Sequence, residues 1–343
     1  MADERDLGEL GILNWSELAK KFNRADILLG NGFSVNITPR LRYDSLFDKF
    51  LTECQPKGKR IFRSFGTTNF EIILQKLSNA KDVNRIFGIE TSEIEDSVEG
   101  LKDGLVRTIG AVHPRWAETD PVQLERIALE LNRFHNVYTL NYDLYLYRII
   151  LILKDKRRND ANIGQYSDYF WEGYDDNFLC FDTSKKFEGY RHPYYLHGAL
   201  FLFKESSYDL KLKKANSNEE LMEVIENNIR EGRMPLFVSE GTHSQKMEAI
   251  WRSTYLSFAL DELKESESSL VIFGTSLSDP DKHIVDAINR NNRDLAISIH
   301  IGTKSKDQLK SIEHYIKSKF PSHKVRFFNS DTLFHFLNIG DSP

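Results

Sequence analysis

The sequence predicts an α/β fold, a Rossmann-like doubly wound parallel sheet with a helical insertion. Segments of strand character alternate with segments of helical periodicity over most of the chain, which is typical of a parallel sheet with crossover helices. Four phrases also join a predicted strand to polar residues, the position where an open parallel sheet binds ligands. The phrases are ILLGNGFS at 27–34, YTLNYD at 138–143, YYLHGA at 194–199 and VIFGTSLSDP at 271–280.

The N-terminal part is predicted to contain one strand and a long helical segment. Asn14 can cap a short helix, and the apolar run 27–29 follows as the first buried strand, with a Gly-rich loop after it. From 44 to 118, apolar side chains recur every three or four residues and no convincing strand interrupts them. We interpret this stretch as a helical insertion or cap.

The remainder of the chain supplies the other strands of the sheet. Strands are predicted at 137–140, 194–196, 235–239, 270–273, 297–301 and 325–328. Helices are predicted at 124–131, 144–153, 256–263 and 309–316, with two more that end near 230 and begin at 280. Residues 157–190, rich in Asn, Asp, Gly and Tyr, are predicted to form an irregular lid or surface loop. The predicted division is therefore 1–43, 44–118 and 119–343.

Composition excludes several classes of protein. The 343 residues carry a net charge of −5, so no overall attraction to nucleic acid or to an anionic membrane is expected. The first ten residues do not resemble a secretory signal and no apolar stretch is long enough to span a bilayer, which favours a cytoplasmic location. Two cysteines cannot build a four-cysteine zinc site, and there is no GxxxxGK[ST] phosphate loop.

Each polar phrase has a functional and a structural interpretation. Gly30 and Gly32 suit the close approach of a pyrophosphate, but also an ordinary tight turn. Asn141 and Asp143 can orient water or a ribose hydroxyl, but Asn and Asp also form turns after strands.

The other two phrases are equally open. His197 precedes a glycine at a strand end, where a neutral imidazole can accept a proton, although most histidines are structural. The segment Gly274, Thr275 and Ser276 offers hydroxyl and backbone donors to a ribose or phosphate, and the residues after it also suit a helix start.

The ordered set GNGFS, TLNYD, LHG and FGTSLSD resembles the sirtuin superfamily, specifically the sirtuin-like NAD-cleaving proteins of bacterial anti-phage defence. The likeness spans about residues 25 to 302 and is strongest at the four motifs. It implies an NAD glycohydrolase that cleaves NAD to nicotinamide and ADP-ribose, with NAD as substrate and no metal. Lys246 and Tyr255 lie in a stretch that is also similar to the family, but no role is assigned to them.

The resemblance implies a role for each motif. Asn141 would contact the nicotinamide ribose and the attacking water, and His197 would be the catalytic base. The remaining motif residues would bind NAD: Gly30, Asn31, Gly32, Phe33, Ser34, Asp143, Gly274, Thr275 and Ser276.

The chain departs from protein-deacylating sirtuins in informative ways. Deacylases carry a zinc ribbon with two CxxC pairs between the HG and GTSL motifs, whereas this chain has no cysteine after Cys180. Leu140 replaces the usual glutamine, and Asn31 replaces the usual alanine. A protein deacylase is therefore the weakest alternative, and a non-catalytic module that binds NAD or ADP-ribose is the other.

The resemblance also implies partners. A toxic NAD-degrading enzyme must be held silent until needed, and in the family this is achieved by oligomerisation or by a HerA-type hexameric DNA-translocating ATPase. We therefore expect a homo-oligomer and such an ATPase as a candidate partner, without direct binding to nucleic acid.

Overall fold

The computed structural model describes residues 4–42, 46–113, 115–185, 188–205, 207–213, 221–238 and 242–334. Within these ranges the strands are β1 (Ile12–Leu13), β2 (Asp26–Leu29), β3 (Val137–Thr139), β4 (Phe170–Gly173), β5 (Phe178–Phe181), β6 (Pro193–Tyr195), β7 (Gly198–Glu205), β8 (Tyr208–Leu212), β9 (Pro235–Phe237), β10 (Leu270–Phe273), β11 (Asp294–Ile299) and β12 (Lys324–Asn329).

The α-helices of the same ranges are α1 (Glu4–Leu10), α2 (Trp15–Leu18), α3 (Asn31–Ile37), α4 (Leu46–Glu53), α5 (Pro56–Phe65), α6 (Phe70–Ile86), α7 (Ser92–Val112), α8 (Pro121–Leu131), α9 (Tyr145–Arg157), α10 (Leu221–Arg230), α11 (His243–Trp251), α12 (Thr254–Glu265), α13 (Lys282–Ile288) and α14 (Lys306–Lys319). None of these helices combines the length and the apolar character needed to cross a bilayer.

Seven strands form an all-parallel sheet in the order β1-β12-β11-β10-β2-β3-β6. From β2 the chain builds outward through β3 to β6, then returns to β10 beside β2 and builds outward through β11 and β12. This is the arrangement of a doubly wound fold, so the predicted Rossmann-like sheet is confirmed. The order reverses between β2 and β10, and ligands of such sheets bind in the crevice at that point.

The central strands are continuous apolar runs because the sheet is covered on both faces. The side chains of 27–29 in β2 and of 270–273 in β10 have no exposed surface. Asp26 begins β2 inside this core and accepts hydrogen bonds from Asn136 and Ser266. Burial nevertheless raises the pKa of its carboxyl above the ordinary value.

The described elements between β2 and β3 are all helical, and α4 to α7 form a layer around a group of phenylalanines. The Phe47 ring lies 4.9 Å from that of Phe62, and Phe50 lies 4.7 Å from Phe70. Gly104 of α7 leaves room for Phe50, since a Cβ there would come within 2.8 Å of the ring. The predicted boundary between residues 43 and 44 lies outside the described residues.

A second sheet, antiparallel and five-stranded, has the order β4-β5-β8-β7-β9. The prediction that 157–190 forms an irregular lid or loop is wrong, because β4 and β5 lie in it. These strands are short, and a polar turn joins them. Their buried phenylalanines contact residues that are distant in the chain, Phe178 with Phe203 and Phe170 with Tyr255, so local sequence carries little signal for these strands.

The sequence-based prediction also missed β7 and β8. The run 199–203 in β7 is fully apolar and buried, and such a run cannot be told from a helix segment by periodicity. Lys211 of β8 forms an ion pair with Asp168, with Nζ 2.5 Å from Oδ2 and both side chains largely buried. This pair ties β8 to the segment before β4.

Candidate functional site

Glycine backbones from two distant motifs touch at the reversal point of the parallel sheet. The N–H of Gly30 donates to Phe273 O, and the N–H of Gly32 donates to Gly274 O, both at 2.8 Å. A Cβ at Gly32 would lie 2.8 Å from the Cα of Gly274, and a Cβ at Gly30 would lie 2.5 Å from the Cβ of Thr275. Gly274 has a φ of +72°. Only glycine allows this contact, because any side chain would separate the two segments.

The Gly-rich segment after β2 opens a helix and is not an extended loop. Gly30 is the residue before α3, and Asn31 faces the crevice. Phe33 lies in the core, 1% exposed, with its ring 5.4 Å from that of Phe334. Its side chain therefore does not line the crevice, and Phe33 can approach a ligand only through its backbone.

Asn141 is held in one orientation by two hydrogen bonds. Its Nδ2 donates to Gly30 O and to Ser34 Oγ, each at 2.9 Å. Because the carbonyl of Gly30 can only accept, the nitrogen must face it, and the amide oxygen Oδ1 is the atom left for the crevice. An amide oxygen accepts hydrogen bonds, so Asn141 can orient a water or a sugar hydroxyl.

Asp143 extends this hydrogen-bond network through Ser34. The Ser34 hydroxyl donates to its Oδ2, and the backbone N–H of Tyr145 donates to its Oδ1 at 2.8 Å. Burial raises the pKa of the carboxyl, while these two hydrogen bonds act to lower it. Ser34 thus connects Asp143 to Asn141, and the three polar side chains fix one another.

The second sheet fixes the position of His197. This residue lies between β6 of the parallel sheet and β7 of the antiparallel sheet, and its carbonyl accepts from Val238 N at 2.8 Å. The following Gly198 has a φ of +73°, and a Cβ there would meet Leu236 O at 2.0 Å. The glycine of the HG motif is therefore needed for the junction between the two sheets.

The imidazole of His197 is paired with a second histidine. Its Nε2 lies 2.9 Å from Nε2 of His283 in α13. Burial lowers the pKa of His197 well below its ordinary value, and the positive charge of Lys246 and the neighbouring His283 lower it further. Burial likewise lowers the pKa of His283 to about 4. Both rings are therefore neutral near pH 7, so one of the two Nε2 atoms donates its hydrogen to the other.

A buried ion pair borders the two histidines. Nζ of Lys246 in α11 lies 2.7 Å from Oδ1 of Asp281. His243, at the start of α11, brings its ring centroid 5.7 Å from that of His283. Sequence reasoning assigned no role to these neighbours. The sequence carries a weak signal for them in the polar run that follows FGTSL, and in the similarity of the stretch around Lys246 to the sirtuin-like family.

One set of three side chains in the described part of the chain has metal-ligand spacing. The nearest ligand atoms of His197, Asp281 and His283 lie within 4.8 Å of one another. Nitrogen and carboxylate ligands would suit zinc. The Lys246 ammonium, however, is already in contact with Asp281 and supplies the positive charge that a metal would bring. The donor set therefore fits a metal in spacing but not in charge.

Two cavities flank the segment formed by Gly274, Thr275 and Ser276, which lines both. The first, about 570 Å³, is lined by Asn31, Asn141, Asp143, His197, Lys246 and Asp281 among others. The second, about 480 Å³, is lined by Gly32, Asn36, Arg42, Ser298, His300 and Ser330 among others. Each is the size of a small-molecule site. Together they form a two-part crevice along the carboxyl ends of the parallel strands.

The structure brings most of the residues singled out in the sequence to this crevice. Ser34 is fully buried behind Asn141 and supports it, and Gly30 holds the Gly274 segment in place. Tyr255, singled out without a role, is a core residue whose hydroxyl accepts from Tyr195 N at 3.0 Å.

No curated protein matches this chain. One family model does, over residues 27–334, which include all four polar phrases, the second sheet and the parallel sheet except β1 and the first residue of β2. The chain therefore belongs to the family described as the domain of unknown function DUF4917.

Proposed function

We propose that this protein is an NAD glycohydrolase that cleaves NAD to nicotinamide and ADP-ribose. The observation that carries the proposal is the convergence of Asn141 and His197 on one cavity that adjoins a second cavity across the Gly274 segment. A dinucleotide has two nucleoside halves joined by a pyrophosphate, and a two-part crevice at the reversal point of a parallel sheet suits that shape. The resemblance of the four motifs to sirtuin-like NAD-cleaving proteins points to the same ligand.

In the proposed complex the pyrophosphate lies along the glycines and the two halves of NAD occupy the two cavities. Gly32 and Gly274 expose backbone rather than side chains there, so the phosphates can approach closely. Thr275 and Ser276 supply hydroxyl groups between the cavities. The nicotinamide ribose then faces Asn141 and His197 in the larger cavity.

The chemistry asks for few catalytic groups. The bond between nicotinamide and ribose breaks through an oxocarbenium-like state, and its electron pair neutralises the pyridinium ring. The leaving group therefore needs no proton, and the protein must chiefly place a water and remove its proton. Asn141 Oδ1 would accept a hydrogen bond from that water or from a ribose hydroxyl, and the neutral imidazole of His197 would accept the proton.

The direct test is to incubate the purified full-length protein with NAD and to separate the products by chromatography. We expect equal amounts of nicotinamide and ADP-ribose, and we expect a His197→Ala variant to lose about 10² to 10⁴ in rate. The matched control is His314→Ala, which changes an exposed histidine of α14. NAD that stays intact at high protein concentration would refute the proposal.

Two other outcomes would support different functions. Binding of NAD or ADP-ribose without turnover would indicate a regulatory binding module. Removal of an acyl group from a lysine peptide, with NAD consumed in step, would indicate a deacylase, which the missing zinc ribbon disfavours.

We further propose that NAD depletion is the biological purpose, as an effector of anti-phage defence in the cytoplasm. This rests on the resemblance alone. Such an enzyme must be restrained in uninfected cells, so we expect homo-oligomers and a candidate HerA-type ATPase partner. Mass photometry of the protein, alone and with that ATPase, tests this, and monomers at every concentration would contradict it.

A further inference from the structure

The smaller of the two cavities, about 480 Å³, has basic and hydroxyl side chains on its wall. Arg42, which follows α3 and a short 3-10 helix, and His300, which directly follows β11, both line it. Ser298 and Ser330 add hydroxyl groups. Among the residues that the structure describes, no carboxylate lines this cavity. The wall is therefore suited to a ligand group that carries negative charge.

Arg42 brings a positive charge that the described part of the chain does not neutralise. The residue is exposed, and no described carboxylate forms an ion pair with it. Arg40, two residues earlier, is paired with Glu118 instead and does not line the cavity. The guanidinium of Arg42 thus keeps its N–H donors for a ligand, and this group binds phosphate in a bidentate geometry.

Ser298 and His300 supply further donors. The backbone N–H of Gly274 donates to Ser298 Oγ at 3.0 Å, which leaves the hydroxyl hydrogen for an acceptor in the cavity. Nδ1 of His300 lies 3.5 Å from Oδ1 of Asp331, which is not a lining residue, so Nε2 is the ring nitrogen left for a ligand. Gly302 leaves that nitrogen uncovered, since a Cβ there would lie 2.9 Å from it. An imidazolium between Asp331 and a phosphate can donate to both.

These groups lie where the adenosine half of a dinucleotide is expected. In the proposed complex the nicotinamide ribose faces Asn141 in the larger cavity, so the adenosine half occupies the smaller one. Rossmann-type sites bind the ribose diol of NAD with a carboxylate, whereas an arginine accommodates the 2′-phosphate of NADP. Within the described residues, the smaller cavity offers Arg42 and no carboxylate. Its chemistry is that of an NADP site.

We propose that the smaller cavity binds the 2′-phosphate of NADP and that NADP is preferred to NAD, an inference that rests on the proposed function. Arg42, Ser298 and His300 hold the phosphate and determine the specificity. The reaction at the other end of the dinucleotide is the same as for NAD. Water adds to C1′ of the nicotinamide ribose, the C1′–N bond breaks towards nicotinamide, and the products are nicotinamide, ADP-ribose 2′-phosphate and one proton.

The first test compares NADP and NAD as substrates of the purified full-length protein, with nicotinamide release followed by chromatography. We expect kcat/KM for NADP to exceed that for NAD at least about tenfold, because NAD lacks the phosphate that accepts the charge-assisted hydrogen bonds. Arg42→Gln should lower this ratio about tenfold, and His300→Gln should lower it less. The matched control Arg40→Gln removes a neighbouring arginine outside the cavity and should keep the wild-type ratio.

A binding measurement tests the same subsite without catalysis. The probes are 2′,5′-ADP and 5′-ADP, which are isomers with two phosphates each and differ only in where the second phosphate is attached. Calorimetry with the full-length protein should show at least about tenfold tighter binding of 2′,5′-ADP. Arg42→Gln should remove this difference, whereas Arg40→Gln should keep it.

The outcomes separate this inference from the proposed function. A wild type that cleaves neither dinucleotide refutes the proposed function, and the comparison of the two isomers then decides whether the cavity binds a 2′-phosphate. Hydrolysis of NAD without a preference for NADP, or equal affinity for the two isomers, overturns this inference alone. Equal losses of NAD and NADP hydrolysis in Arg42→Gln also overturn it, because that pattern assigns Arg42 to the pyrophosphate that both dinucleotides share.

Discussion

The backbone N–H of Gly32 donates to the carbonyl of Gly274 at 2.8 Å, which joins the segments after β2 and β10 without any side chain between them. Gly274 lines both cavities, and Gly32 lines the smaller one. The close approach of the backbone at this point therefore depends on two glycines from distant motifs.

Substitution Gly274→Ala should separate these segments. The residue has a φ of +72°, and a Cβ would lie 2.7 Å from Phe33 N, so we expect a loss of about 1 to 3 kcal/mol in unfolding free energy. NAD affinity, measured by calorimetry, should fall at least about tenfold. The matched control is Gly189→Ala, because Gly189 has a φ of +79° with nothing within 4 Å of the added Cβ. Equal NAD affinity in both variants would contradict the assigned role of the contact.

Asn141→Ala should reduce NAD hydrolysis about 10² to 10⁴-fold. The amide also donates to Gly30 O and Ser34 Oγ, and its loss leaves two buried acceptors without that donor, at a cost of about 1 to 3 kcal/mol. Product formation should therefore be measured well below the melting temperature, with the exposed Asn159→Ala as control. Full activity in Asn141→Ala would remove this residue from the mechanism.

His113 should make the protein less stable in acid. Burial lowers its pKa to about 4, and its Nδ1 lies 3.2 Å from Ile109 O. The unfolded chain binds a proton at a pKa of 6.5, so stability is complete above that pH and falls as the pH drops towards 4, by about 3 kcal/mol in all. Urea unfolding of wild type and His113→Phe across this range should show a flatter pH dependence in the variant. The exposed His314→Phe should keep the wild-type slope, and parallel curves for wild type and His113→Phe would refute the prediction.

Lys211→Met should destabilise the second sheet. It would leave the carboxylate of Asp168 buried and without its closest partner, a loss of about 3 to 5 kcal/mol in unfolding free energy. Lys282→Met is the matched control, because its pair with Asp286 is exposed and should change stability by less than about 1 kcal/mol. Chemical denaturation of both variants measures the difference. Similar small losses would mean that the Asp168 pair does not stabilise the fold.

Local pattern was sufficient to predict the parallel sheet and its helices. The strands at 27–29 and 270–273 are apolar throughout, bounded by glycine and followed by polar residues, and these features persist in any arrangement of the chain. The same applies to the four phrases at strand ends, since parallel strands must present their carboxyl ends at one edge. Some boundaries differ by three or four residues from the predicted ones, as at the end of α9 and the start of β11.

The strands of the second sheet could not be predicted from the local sequence pattern. Its strands β4 and β5 have only four residues each, and most of β7 is an apolar run without alternation. Whether such segments become strands depends on which partners reach them, and those partners come from other parts of the chain. The consequence is functional, because the junction at Gly198 between the sheets sets the position of His197.

By itself, the sequence determined the Rossmann-like core, the helical nature of the segment between its first two central strands, and the set of glycines and polar residues at one sheet edge. Only the tertiary structure decided that Ser34 supports Asn141 and that His283, Lys246 and Asp281 surround His197. The physical reason is the separation along the chain of the residues that interact. Neighbouring residues determine the backbone conformation and the burial pattern of a segment. Hydrogen bonds between side chains on α3, α11, α13 and the sheet edge, in contrast, form only after those elements pack.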